Sequence, residues 1–449
     1  MNRFIKIIDK YLMPTAEKLN NNVYLTVIRD SFMVMLPLII FGSIFVVIGN
    51  LPFLPSLIGK DGASNLNNFI GAASNSTMSI MSLFVVFGIG YNLSKHYKIE
   101  AVYGSVVAVA AFIILTPTVI NTPNGIVDSV LPFDRLGAKG LFVGMISAFL
   151  ATEIYRRIVQ KNWVIKMPQG VPDAVSKSFA SLIPAAITLT IFLAIRILFM
   201  FTPWGNIHDF IYKFVQTPLM SLGSSLPATI IEILFIQLFW FCGLHGQILV
   251  NSALDPIWRA LSLENYQAFT SGATHLPHII TKQFIDTFTV SMGGTGMTLA
   301  VLVGILIFTR SKQLRELSKI AIPAGIFNVN EPVIFGLPIV LNPLVIIPWI
   351  LAPIVVTIIT YFAMASGLVP LTTGVEVSWT IPIFFSGMLA TNSLAGGLLQ
   401  LFNFAVVLII WLPFIITIDR QYKKAETELK EKIENSKNQS NIQNNTDTN

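Results

Sequence analysis

The sequence predicts an all-α polytopic membrane protein of about ten transmembrane helices, with two re-entrant hairpins and interfacial amphipathic helices. Three observations carry that prediction. Of 449 residues, 53% are hydrophobic and 12% charged, with a mean hydropathy of +0.70, whereas soluble domains carry about 25% charged residues. The basic residues fall in short clusters between apolar runs, as cytoplasmic loops do under the positive-inside rule. The stretch Phe327 to Pro343 packs one carboxylate, three asparagines and three prolines into 17 residues of an otherwise apolar region. Each proline lacks an N–H and clashes one turn back, so no regular helix continues through it. Broken backbone at membrane depth survives only where protein or a water-filled cavity covers it.

These features exclude other classes. The net charge of +6 is spread over loops rather than gathered on one face, so no nucleic-acid partner is expected. The single cysteine, Cys242, forbids an intrachain disulfide or a multi-cysteine metal site, and no cofactor or metal is expected. The polar start, Met1 to Asn22, lacks a short apolar core followed by a cleavage site, so no removable signal peptide is expected.

Phe4, Ile5, Ile7, Ile8, Tyr11 and Leu12, interleaved with Arg3, Lys6 and Lys10, predict a short interfacial helix. Spans are predicted over residues 31–48, 78–93 and 101–120, with a Gly/Ser/Asn-rich stretch at 59–78 between the first two. The third span is rich in small residues that let membrane helices approach closely. The cation-poor loop 121–139 is placed outside, and residues 140–155 cross back to Arg156 and Arg157 inside. Residues 161–177 lie along the interface, and 178–201 cross outward. An amphipathic segment at 206–222 and an apolar span at 226–250 follow, then a polar region, 251–290, and a glycine-rich span, 291–309. Two broken segments, 323–343 and 370–394, dip in and return around a span at 344–368, and the last span is 396–418. Placing both termini and every basic cluster in the cytoplasm requires one more crossing within 205–290, where no run of about 20 apolar residues marks it. The chain divides into a scaffold unit, 1–204, a substrate unit, 205–418, and a polar cytoplasmic tail, 419–449, expected to be disordered at its end.

Glu331 is the leading candidate for chemistry. A carboxylate at membrane depth either ties down the loop through backbone N–H groups or serves a ligand, and its cost favours the second reading. It suits accepting sugar hydroxyls or taking a proton from one. Asn328 and Asn330 would add amide donors and acceptors. His245 stands in Trp240-Phe241-Cys242-Gly243-Leu244-His245-Gly246, where Gly243 and Gly246 let the backbone approach a ligand. Trp240 and Trp379 are candidate sugar-stacking faces, although membrane tryptophans also serve as interfacial anchors. Glu232 and Arg196 read as structural charges, and the run from Gly293 to Gly296 reads as close packing or a hinge, since it lacks the lysine of a phosphate loop.

With those residues identified, the chain resembles the membrane-embedded IIC permeases of the bacterial phosphotransferase system, in the lactose/cellobiose/diacetylchitobiose branch. The likeness rests on Trp240 to Gly246, on Phe327 to Pro338, and on Trp379-Thr380-Ile381-Pro382 with Ser386-Gly387. It implies a multi-pass plasma-membrane protein with cytoplasmic termini, dimerising through its first half. It implies a β-linked disaccharide held in the second half, its 6-hydroxyl phosphorylated by a phosphocysteine on a separate IIB protein. His245 and Glu331 would then be the catalytic pair, with Trp240, Gly243, Asn330 and Trp379 completing the pocket. An ion-coupled disaccharide transporter without phosphorylation, with Glu331 as proton relay, is the rival reading, and a self-sufficient membrane enzyme is a third.

Overall fold

The computed structural model describes residues 21–49, 54–122, 125–337, 339–342 and 344–446; the interfacial helix expected near residues 4–12 lies outside them. Helix α1, Val23–Gly49, has 27 residues, about 40 Å at ~1.5 Å per residue, more than the ~30 Å a bilayer core requires. The Gly/Ser/Asn-rich stretch forms much of helix α2, Leu54–Asn75, interrupted at Gly59, whose φ of 75° is non-helical. A 3-10 turn, Met78–Ile80, leads into α3, Met81–His96, and then α4, Ala101–Leu115. The small residues act as expected: an added Cβ on Gly90 would meet the Ser105 backbone at 2.7 Å, so α3 and α4 cross almost backbone to backbone. Helix α4 ends before residue 120 because Pro117 pushes Thr116 into extended backbone. Arg196 caps it, Nη1 donating to the carbonyls of Ile114 and Thr116 at 2.6 and 3.1 Å, as its structural reading requires. The following loop is an antiparallel hairpin, β1 Val119–Thr122 and β2 Gly125–Asp128. Helices α5, Leu141–Gln160, and α6, Asp173–Met200, complete the first half.

The second half departs from the predicted spans. A helical run, Ile207–Gly223, bends by 71° into α7, Leu226–Phe241. The span expected over 226–250 is broken at residues 242–245, and α8, Gly246–Thr270, runs on for 25 residues through Asp255, Arg259 and Glu264. This charged helix is not among the helices apolar enough to cross a membrane. Short helix α9, Lys282–Phe288, a glycine turn at 293–296 and α10, Thr298–Phe308, follow. Amphipathic α11, Lys312–Ile326, leads into a single short helix, α12, Glu331–Gly336. After α13, Ile346–Ala365, the chain runs largely irregularly to α14, Phe385–Thr391.

The last helix, α15, Leu394–Thr446, has 53 residues and carries the last span on into the polar tail, whose end was expected to be disordered. Glu, Lys and Ala are strong helix formers, and Glu426/Lys430 and Glu428/Lys432 stand at the favourable i, i+4 spacing. Among the described residues, six helices are long and apolar enough to cross a membrane, or seven if the bent pair is one span.

Two buried cores organise the molecule. One joins α1, α3, α4 and α5 to the later part of α8, α9 and the segment around Val375 and Val377. The other joins α7, α10, α12, α13 and α15 to Leu249 and Val250 at the start of α8. Helix α8 therefore belongs to both, passing from one to the other at Pro256.

Candidate functional site

The chain reverses between α7 and α8 because Gly243 adopts φ 81°, a conformation glycine reaches without cost. Its N–H and that of Leu244 donate back to Trp240 and Phe239, both at 2.9 Å. The reversal leaves His245 as the N-cap of α8, where Nδ1 accepts from the Ile248 N–H at 3.3 Å. That acceptor role assigns the proton of a neutral ring to Nε2. The Trp240 indole packs on the imidazole with centroids 4.4 Å apart, holding its plane.

Two residues later, the Gln247 amide donates to Ser291 Oγ at 2.7 Å and accepts from Thr295 Oγ1 at 2.6 Å. This ties α8 to the glycine turn. Gly293, Gly294 and Gly296 all have positive φ. The turn carries the Asn-Asn-Glu segment: Gly293 N–H donates to Asn328 Oδ1 at 2.9 Å, and the Asn330 amide donates to the Thr295 carbonyl at 3.3 Å. Asn328 also donates to the carbonyls of Trp379 and Ile381, the latter at 3.0 Å. Its amide thus stitches the glycine turn and the two broken segments together, rather than being left for a ligand.

Between these elements lies a cavity of about 400 Å³, within the range of small-molecule sites. His245, Gln247, Thr295 and Asn330 line one part of it, with Trp379 on another wall. Of the residues singled out from sequence, His245, Asn328, Asn330 and Trp379 converge there. Trp240 is 5% exposed and sits behind His245, while Gly243 shapes the turn. The side chain of Glu331 lies outside the described residues; its backbone opens α12 directly after Asn330.

Two contributions escaped the sequence reading. Helix α1 supplies a wall through Arg29, Phe32, Met33, Leu36 and Ile40, so the cavity is not confined to the second half. A charged cluster also lines it. Lys282 Nζ lies 2.9 Å from Asp255 and 2.8 Å from Asp286. Arg259 lies 3.3 Å from Asp255 and 3.5 Å from Glu376. The signal was present as two i, i+4 pairs, Asp255/Arg259 and Lys282/Asp286, inside a polar region already too long for an ordinary loop. Glu376 is anchored by its backbone N–H donating to Ser43 Oγ of α1 at 2.9 Å, and the Arg259 guanidinium lies 5.3 Å from the Phe32 ring centroid.

The chain is similar to membrane components of the phosphotransferase system. Residues 29–353 match the family model "Phosphotransferase system, EIIC". The chain is 55% identical over 422 residues to the oligo-beta-mannoside-specific EIIC component of Bacillus subtilis strain 168, covering 94% of this chain and 95% of that protein. It is 40% identical to the cellobiose-specific EIIC component of Geobacillus stearothermophilus, covering 95% and 97%. The crystal structure of ChbC, the IIC component of the N,N'-diacetylchitobiose-specific phosphotransferase system, superposes with a TM-score of 0.88 at 42% identity, covering 94% of this chain and 99% of that one.

Proposed function

The chain belongs to the EIIC family of the phosphotransferase system, and we infer that the cavity beside His245 and Asn330 holds its sugar for phosphorylation. It is the membrane component of a system for β-linked oligosaccharides, working with a phospho-IIB partner. The observation that carries the site assignment is the convergence of His245, Asn330 and Trp379, from three distant parts of the chain, on one cavity at the break between α7 and α8.

In this reading Trp379 stacks on a sugar face and the Asn330 carbonyl oxygen accepts from a hydroxyl. The 6-hydroxyl points toward His245 and Glu331. On transfer, the phosphorus–sulfur bond of the IIB phosphocysteine breaks and a phosphorus–oxygen bond to O6 forms. Glu331 takes the hydroxyl proton, and the Nε2–H of His245 holds the neighbouring oxygen. Positioning and electrostatics supply most of the rate in phosphoryl transfer, so neither side chain is required for binding itself. About ten crossings with two re-entrant segments, 323–343 and 370–394, cytoplasmic termini, and a homodimer formed through residues 1–204 complete the proposal. The fold match and the long apolar helices support a multi-pass plasma-membrane protein.

Purified protein should bind cellobiose, and Glu331→Gln should lower IIB-dependent phosphorylation by about 100-fold, the scale of a general base, with a much smaller loss of binding. Full phosphorylation by the Glu331→Gln protein removes the role given to that residue. Absence of disaccharide binding by the wild type removes the site.

A further inference from the structure

Capping α4 occupies one nitrogen of Arg196 and leaves the rest of its guanidinium to be accounted for. Nη1 serves the carbonyls of Ile114 and Thr116, and the partial charges at a helix end answer only part of a full positive one. Among the described residues, Nε and Nη2 make no hydrogen bond and no carboxylate pairs with Arg196. Asp209, one hydrogen bond beyond Asn206, is engaged by Arg135 instead. The charge stands in α6, the least buried of the six long apolar helices among the described residues. A charge in such a helix is costly, and it points to a function when the protein supplies no counter-charge.

A second cavity, of about 170 Å³, lies beside this guanidinium, with far more room than one water needs. Thr118 lines it with Arg196, and the threonine hydroxyl is likewise without a partner among the described residues. Leu115, Val119 and Met200 make its apolar wall. Nε and Nη2 form the lateral fork of the guanidinium, which holds two oxygens of one phosphate. A cation and a hydroxyl beside an apolar wall suit a ligand that is anionic at one end and hydrocarbon at the other. Depth agrees. Helix α6 has 28 residues, about 42 Å at ~1.5 Å per residue, so centred on a ~30 Å hydrocarbon core it extends about 6 Å past each face. Arg196 stands four residues before its end at Met200, again about 6 Å, which is the level of the headgroups. Phe201 and Trp204 are exposed just beyond it, as aromatic residues at a membrane surface are. We propose that Arg196 and Thr118 bind the phosphodiester of a membrane phospholipid, with the start of an acyl chain along Leu115 and Met200.

The test places the full-length protein in nanodiscs with a trace of phosphatidylglycerol carrying a photoreactive diazirine at the top of one acyl chain. The matching diacylglycerol, which lacks only the phosphate headgroup, is the reference probe. After illumination, label on residues 115–119 and 196–207 is read by mass spectrometry of the digested protein. The phospholipid should label these peptides about tenfold more than the diacylglycerol does, the scale of a hydrogen bond to a charged group. Arg196→Gln keeps an amide donor for the α4 carbonyls but removes the charge. It should bring the phospholipid label there down to the diacylglycerol level, with label on α1 and α13 unchanged, whereas Arg196→Lys should keep more than half of it. Wild-type labelling by the two probes within about twofold overturns the site, whether or not either variant folds. Full phospholipid labelling of the Arg196→Gln protein overturns it too. Excess inorganic phosphate should leave the label in place; if it removes the label, the site takes a free anion and the lipid assignment falls.

Discussion

Gly296 shows how narrow the choice of residue is beside the cavity. Its φ is 73°, and a Cβ built there would lie 2.2 Å from the Trp349 ring. Gly296→Ala therefore combines backbone strain with overpacking and should cost about 1–3 kcal/mol, read as a lower melting temperature. Gly71, within α2 with nothing near its missing Cβ, is the control. Gly71→Ala should be neutral or stabilising by up to ~1 kcal/mol, since alanine is the better helix former. Equal melting temperatures for the Gly296→Ala protein and the wild type would refute the packing argument. At this scale the sequence was most informative where a polar residue stood among glycines or prolines, as His245, Asn330 and Trp379 do. It was least informative for Glu376, which reads as an ordinary loop charge until the fold brings it to Arg259. Asn328 was legible as important but not in its role, because which amide ends up bonded to backbone depends on loops dozens of residues away.

At the scale of elements, two carboxylates of α15 hold the start of α11. Asp419 accepts from the Arg310 and Ser311 N–H groups at 3.0 and 2.7 Å. Glu426 accepts from Ser311 Oγ and the Gln313 N–H at 2.6 and 3.1 Å. These donors surround the start of α11, where helical N–H groups lack intrahelical partners and negative charge is favoured. Asp419→Ala with Glu426→Ala should destabilise α11 by about 1–3 kcal/mol. The check is faster amide exchange at residues 312–315, with α6 unaffected; unchanged exchange would show that the tail does not hold α11. The packing of the first part of the tail on α11 was not legible, because those contacts reach back more than 100 positions. Helix α8 was illegible for a related reason: its charges pair with α9 and the 376–379 segment, contacts that hydropathy alone cannot find.

Among the six long apolar helices of the described residues, α6 is the least buried, 17% of its most apolar stretch against 72% for the helix of residues 138–160. Lipid or a second copy must cover that face. The proposed homodimer through residues 1–204 predicts, in mild detergent, a light-scattering protein mass of twice the 49.5 kDa chain. A mass of one chain would refute it. The membrane class and most first-half helices were legible, because apolar length and basic loops report on single segments. The division into two cores was not, since it depends on how segments from both halves pack.

Helix α8 enters one core through Val250 and the other through Trp258, with Pro256 between them. Proline withholds the N–H that would tie this turn to the one before, so the helix is weakest where it passes between the two bodies. A pivot is the place that travels least. Asp255 stands just before that turn and Arg259 one turn after it, so if the cores rotated against each other, the charges that line the cavity there would travel less than its far walls.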